Sequence, residues 1–353
     1  MDEAHPHTKK GRTLDLPMTS EYRLVVIGLG YVGLTLAAVY ARAGFDTIGV
    51  DIDQAVIDSL KAGAPHFHEN GLPELLKATQ KKLHFSTSVS PAVGKKSIYV
   101  IAVGTALNSD GTADYDQIER STDALGGVLA SGDIVILRST VVVGTTSKLV
   151  IPLLEKRSKL KEGEDFYVGF APERTIEGRA IEELKTLPQI IASNTRVGVE
   201  KIENFFSHVA QEVVRVESLE TAELVKLISN AYRDLSFAFS NSVALAAAEH
   251  NVDVNHLIDT ANQGYVRNQI PLPSPGVGGY CLTKDPYLFA YSGGGENVGL
   301  IYELMHAGRN VNKEMPKHVA KLVEIYARQQ GWKSPCVAVI GLAFKSYPPT
   351  SDV

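Results

Sequence analysis

Along the first half of the chain, short runs of consecutive apolar residues alternate with stretches in which apolar positions recur every three or four residues. The runs RLVVI (23–27), TIGVD (47–51), SIYVIAV (97–103), DIVILRS (133–139), FYVGFA (166–171) and QIIAS (189–193) have the length and β-branched content of strands buried on both faces. Between them, the stretch up to Ala43 and residues 53–61, 116–130, 146–157 and 195–208 read as helices. This is the βαβ rhythm of a parallel sheet, and one doubly wound, Rossmann-like α/β domain over residues 21–215 accounts for it.

The pattern changes after that. From Glu220 to Glu249 there is neither glycine nor proline and apolar positions keep helical spacing, which predicts one long helix. A second helix is expected at 254–261, a Pro/Gly-rich loop at 264–279, and more helix at 297–328. Residues 216–330 thus form an all-helical central domain. The run SPCVAVIGLAFK (334–345) reads as a buried strand opening a third, α/β unit. No return helix or partner strand is legible before Val353, so residues 331–353 are expected to be the beginning of an incomplete domain.

The net charge of −5 provides no basic excess to draw the protein onto nucleic acid or anionic lipid, so an anionic ligand must be met by local groups. Two cysteines, Cys281 and Cys336, do not make a disulfide framework and suit a reducing, cytoplasmic setting. Residues 1–20 are charged from the second position and lack an apolar core, which reads as a mobile tail rather than a signal peptide. The stretch from Leu24 to Ala41 carries no charge for 18 residues, but its three glycines argue for a turn between strand and helix, not a membrane span. No membrane insertion and no metal are expected.

That turn is Gly28-Leu29-Gly30-Tyr31-Val32-Gly33. It follows a strand and opens a helix, the context in which glycines permit a tight turn, close approach of a pyrophosphate and helix–strand packing. The next strand ends at Asp51, where a carboxylate can accept the ribose hydroxyls of an adenosine and repel a 2′-phosphate. NAD is therefore favoured over NADP. A second cluster surrounds Cys281: Gly276, Gly278 and Gly279 precede it, and Lys284 and Asp285 follow within one helical turn. A cysteine at a helix start feels a dipole that favours thiolate, yet free cysteines are commonly small buried hydrophobes, and the cluster alone leaves both readings open. Cys336, inside an apolar run, is expected to be that buried hydrophobe. On the long helix, Glu223, Lys226, Asn230, Arg233 and Asn241 fall within one narrow arc. The neighbouring apolar positions imply that this polar stripe is covered and partnered. Glu173 and Glu177, in APERTIEG (171–178), and Ser139-Thr140 lie at the carboxyl edge of predicted strands, where ligands bind in this architecture.

Taken in order, GLGYVG (28–33), Ser139-Thr140 with Gly144-Thr145-Thr146, APER..EGR (171–179), AELVKLISNAYRDL (222–235), GVGGYCLTKDPY (276–287), GRNVNKEMP (308–316) and GLAFK (341–345) resemble the UDP-sugar 6-dehydrogenases, which include UDP-glucose and UDP-N-acetylhexosamine enzymes. The resemblance runs from about Tyr22 to the end. It implies an N-terminal NAD domain, a central helical domain that builds a homodimer, and a C-terminal domain for the UDP moiety. It makes Cys281 the nucleophile, Lys226 and Asn230 its partners, Asp285 their support, and Glu173 and Thr140 the proton-handling end. Cofactor contacts are expected from Gly28, Gly30, Tyr31, Val32, Gly33, Asp51, Thr105, Thr140 and Glu177. Substrate contacts are expected from Glu173, Arg174, Lys226, Asn230, Arg267, Pro275, Gly276, Gly278, Gly279 and Lys345.

Oxidising a primary alcohol to a carboxylate takes two hydride transfers, and a thiolate that captures the intermediate aldehyde prevents its escape. Val266-Arg267 through Pro275-Gly276-Val277-Gly278-Gly279 resembles the substrate loop of the N-acetylhexosamine branch, which implies UDP-N-acetylmannosamine or UDP-N-acetylglucosamine as substrate in surface-polysaccharide precursor synthesis. Leu282-Thr283-Lys284-Asp285 resembles the UDP-glucose branch and keeps UDP-glucose as the alternative. A reading of another class is a non-catalytic, NAD-binding, dimerising protein.

Overall fold

The computed structural model describes residues 18–91, 93–293 and 298–341. A short helix α1 (Met18–Glu21) leads into β1 (Tyr22–Ile27), α2 (Tyr31–Arg42), β2 (Thr47–Val50), α3 (Gln54–Lys61), α4 (Leu72–Thr79) and β3 (Leu83–Ser86). After β4 (Lys96–Ile101) comes a small hairpin, β5 (Ala106–Leu107) and β6 (Ala113–Asp114), then α5 (Asp116–Gly126) and β7 (Ile134–Leu137). A π-helical turn at Thr146–Val150 continues into α6 (Ile151–Ser158). The sheet domain closes with β8 (Tyr167–Phe170), α7 (Ala180–Thr186), β9 (Gln189–Ser193), α8 (Arg196–Ser207) and β10 (Val213–Arg215). Four helices follow: α9 (Leu219–Glu249), α10 (Val254–Asn262), α11 (Tyr280–Ser292) and α12 (Val298–Gln329).

Eight strands form one sheet in the order β10-β9-β8-β7-β4-β1-β2-β3. Its pairings are parallel except for that between β8 and β9. The apolar runs end up where their composition requires: Leu24, Val26, Ile98, Val100, Ile134 and Ile136 point to one core, and Val25, Ile27, Tyr99, Ile101, Val135 and Leu137 to the other. Helices cover both faces, as a parallel sheet demands. The strand order reverses between β1 and β4, and the crevice at their carboxyl ends is the place where ligands bind in open α/β sheets.

Several features depart from the sequence reading, the β5–β6 hairpin and β10 among them. Helix α4 and strand β3 lie in a segment without a clear periodic signal; β3 gains its conformation by pairing with β2, from Thr47 opposite Leu83 to Val50 opposite Ser86. Part of the expected tail is structured, since Met18 is buried in α1; residues 1–17 lie outside the described residues. Residues 334–341 form no strand. Val337, Val339 and Ile340 are exposed, and Cys336 is exposed instead of buried. Among the described residues no strand pairs with this segment. Phe344 and Lys345 lie outside the described residues.

Candidate active site

The glycine loop between β1 and α2 is tight for two reasons that can be located. Gly28 has φ +91°, and a Cβ there would lie 2.8 Å from the Ala102 carbonyl oxygen at the end of β4. A Cβ on Gly33 would lie 1.8 Å from the Gly28 oxygen, so α2 can begin this close to the turn only with glycine there. Gly30 is different: it is the N-cap of α2, and nothing lies within 4 Å of its Cβ position, leaving an open face at the helix N-terminus. Asp51, just past β2, accepts from Leu29 N through Oδ2 (2.8 Å) and from Asp53 N through Oδ1 (3.0 Å). The side chain of Tyr31 donates to Glu69 Oε2 (2.6 Å) and Ile176 O (3.0 Å), tying this loop to the segment after β8. Thr105, beyond β4, is buried with a hydroxyl that has no hydrogen-bond partner among the described residues. An open helix N-terminus, a carboxylate one strand away and an unpartnered hydroxyl fit a dinucleotide.

The second half of the site is a cleft of about 540 Å³. One wall is the segment Arg174 to Glu177; another is the α9 stripe Lys226, Asn230 and Arg233; a third is the loop from Gly276 to Gly279, leading into Tyr280 and Cys281 at the start of α11. Asn230 Nδ2 donates to Asp285 Oδ2 at 2.6 Å, and Lys284 Nζ lies 3.6 Å from Asp285 Oδ1. Burial holds the Lys284 ammonium below its ordinary pKa, while Asp285 pulls it back up. The protein crowding the Cys281 sulfur raises the thiol pKa, and Asp285 and Glu177 add to the rise against the pull of Lys226 and Lys284. Cys281 is exposed to the cleft, yet the atoms around its sulfur and the two carboxylates act against the helix-start argument for a thiolate.

The other members of the polar stripe are partnered. Glu223 is buried and accepts from Gly144 N, Thr146 N and Thr146 Oγ1, holding the π-helical turn at the start of α6. Asn241 donates to Asn312 Oδ1 (2.9 Å) and accepts from Ser274 N (2.9 Å), which anchors the substrate loop to α9 and α12.

The structure brings some of the expected site residues together and leaves others apart. Cys281, Lys226, Asn230, Arg174, Glu177, Gly276, Gly278 and Gly279 share the cleft, with Asp285 directly behind Asn230. Glu173 is turned away from it: its carboxylate is buried, Oε2 bound by Arg138 Nη2 (2.6 Å) and Nε (3.0 Å), and Oε1 by Arg174 N and Thr175 N. Burial alone would raise its pKa, but the Arg138 guanidinium and the backbone donors overcome that and hold it below the ordinary range. A carboxylate so stabilised is a weaker proton acceptor than a free one. Thr140, half-buried past β7, and Pro275 are outside the cleft walls, and Arg267 lies on the surface beside Tyr265. The sequence reading places Lys284 in the Cys281 cluster without a role and does not include Arg138 or Tyr280 as site residues; the signal for Arg138 is a lone cation at the end of an otherwise apolar strand.

The NAD-binding domain of the UDP-glucose/GDP-mannose dehydrogenase family matches residues 22–210, and the central domain of the same family matches residues 220–314. The chain belongs to this family. It is an NAD-dependent oxidoreductase. The dehydrogenase is 36% identical over 327 residues to a UDP-N-acetyl-D-mannosamine dehydrogenase of Pyrococcus horikoshii, a match spanning 92% of this chain and 76% of the relative. It is 34% identical to an NDP-N-acetyl-D-galactosaminuronic acid dehydrogenase of Ralstonia solanacearum over 94% of this chain and 78% of the relative. The solved UDP-D-ManNAc dehydrogenase of Pyrococcus horikoshii superimposes with a TM-score of 0.81 at 33% identity, covering 88% of this chain and 73% of that one. Among the described residues of the dehydrogenase, no helix is long and apolar enough to cross a membrane, and no group of His, Cys, Asp and Glu is placed to hold a metal.

Proposed function

We propose that this dehydrogenase oxidises the C6 alcohol of a UDP-N-acetylhexosamine, UDP-N-acetylmannosamine or UDP-N-acetylglucosamine, to the uronic acid in two steps through Cys281. The observation that carries the reading is the position of Cys281 on the first turn of α11, opening into the cleft that Lys226 and Asn230 also line. The names of the similar enzymes support the substrate class. Gly28, Gly30, Gly33 and Asp51 would hold NAD, which when bound supplies the hydride acceptor.

The residues divide the rest of the work. Cys281 holds the aldehyde-level carbon as a thiohemiacetal and the acid-level carbon as a thioester, so neither is released before water cleaves the C–S bond and returns the thiol. Asn230 gives one amide N–H to Asp285; because a carboxylate accepts only, this fixes which end of the amide is NH₂ and leaves the second N–H to meet an oxyanion. Lys226 adds positive charge on the same side and draws the Cys281 thiol toward ionisation. Glu177 is a cleft-wall carboxylate suited to activating water. The long helix α9 leaves Ile228, Tyr232 and Phe239 exposed on one face, and this face is suited to a second copy of the chain, giving a homodimer.

The test is incubation of the purified protein with NAD and, separately, UDP-N-acetylmannosamine, UDP-N-acetylglucosamine and UDP-glucose. NADH formation is followed by absorbance and the sugar product by mass. Two NADH per uronate with an N-acetylhexosamine is the expected result. Turnover confined to UDP-glucose would overturn the substrate, and no turnover with tight NAD binding would favour a binding protein.

A further inference from the structure

The two halves of the site are joined by a continuous set of contacts. The Gly28 turn packs on Ala102 and Val103, and Ala102 N donates to Ile27 O (2.8 Å), so the segment after β4 is in direct contact with the glycine loop. Three residues on, the carbonyl of Thr105 accepts from the Tyr280 hydroxyl at 3.0 Å, bridging 175 positions of sequence. Tyr280 is the first residue of α11 and immediately precedes Cys281. The face of its ring carries Lys284 Nζ, 4.8 Å from the centroid, and Lys284 in turn sits against Asp285, the partner of Asn230. At its far end α11 is pinned again, by Tyr291 to Asp110 O (3.3 Å) and by Ser292 to Val143 N (3.0 Å).

We infer that Tyr280 is a positioning residue that couples the cofactor loop to the Cys281 thiol. Its hydroxyl ties the first turn of α11 to the segment that backs the glycine loop, so a change in that segment when NAD enters is passed to the residue next to the nucleophile. The ring passes the same displacement to Lys284 and, through Asp285, to the amide that meets the oxyanion. The inference rests on the NAD-dependent reading of this site, and it assigns Tyr280 no contact with substrate.

Tyr280→Phe removes the hydroxyl and leaves the ring over Lys284; Tyr280 is half-exposed, and circular dichroism checks that the variant is folded. Two measurements follow. The first is NAD affinity by fluorescence titration. The second is the rate at which iodoacetamide alkylates Cys281, with and without saturating NAD, read by peptide mass against exposed Cys336 as the internal reference. In the parent protein NAD should change the Cys281 rate relative to Cys336. In Tyr280→Phe that effect should shrink toward none, and NAD affinity should fall about two- to tenfold, as for loss of one hydrogen bond. Tyr291→Phe, which loses the bond at the other end of the helix, should keep the NAD effect. A parent that binds NAD without any change at Cys281, a Tyr280→Phe protein that retains the effect, or a Tyr291→Phe protein that loses it equally would each overturn the coupling alone. A parent that does not bind NAD would overturn it together with the cofactor reading.

Discussion

Arg138 places Nη2 2.6 Å and Nε 3.0 Å from the same oxygen of Glu173, Oε2, with its guanidinium fully enclosed. The same guanidinium reaches Ala171 O (3.2 Å) and Gln189 Oε1 (3.1 Å), so one side chain braces the exit of β8 against β9. The segment it braces continues into the cleft wall at Arg174 to Glu177.

Removing one partner of a buried pair leaves the other charge uncompensated. Arg138→Met should therefore cost about 3–5 kcal/mol of stability, measured by urea unfolding at neutral pH. Because Glu173 is held below its ordinary pKa, its contribution is present above about pH 4.3, the unfolded value, and is lost as pH falls through the folded value. In Arg138→Met the carboxyl prefers its proton, so the deficit relative to the parent should narrow on acidification. An unchanged deficit between pH 7 and pH 4 would contradict this account.

The raised thiol pKa of Cys281 makes alkylation slow at neutral pH and faster as pH rises. Asp285→Asn removes a charge that raises the thiol pKa, so alkylation at pH 7 should quicken severalfold even as oxidation of the sugar is impaired. Lys226→Met removes a charge that lowers it and should slow alkylation. Cys281→Ser should abolish uronate formation. Rates for Asp285→Asn and Lys226→Met that move in the same direction would show that crowding, not these charges, sets the thiol.

Asp51 holds the glycine turn through Oδ2, which accepts from Leu29 N, and its own loop through Oδ1, which accepts from Asp53 N; a carboxylate here would repel the 2′-phosphate of NADP. Calorimetry should give NAD binding at least roughly tenfold tighter than NADP, a difference of about 1.4 kcal/mol. Asp51→Ala should weaken NAD, since Leu29 N loses its acceptor, and bring the two cofactors closer together. Equal affinities in the parent would remove Asp51 from the ribose site.

Tyr232 and Phe239 are 76% and 58% exposed on α9, an apolar face that water does not favour. Analytical ultracentrifugation at tens of micromolar should give a dimer for the parent, and Phe239→Glu should shift it toward monomer while leaving NAD affinity within about twofold. A monomeric parent would leave this face to a different occupant.

What could be read directly from the sequence is what local chemistry determines. The strands announce themselves as runs such as SIYVIAV because a strand covered on both faces has no polar side to show. The glycine loop and Asp51 are legible because a positive φ at Gly28 and the 1.8 Å conflict at Gly33 are demands on single positions. The stripe Lys226, Asn230 and Arg233 is legible because helical geometry alone puts those residues on one face. Tertiary structure decided the rest. No spacing rule links Arg138 to Glu173 or Tyr280 to Thr105, since those pairs exist only once β7 meets β8 and α11 lies across the β4 exit. The thiol shows the limit most clearly: its helix start argues for a lowered pKa, but the outcome depends on how much water the surrounding walls exclude and on where Asp285 and Glu177 stand, quantities that long-range packing sets and that the order of residues does not display.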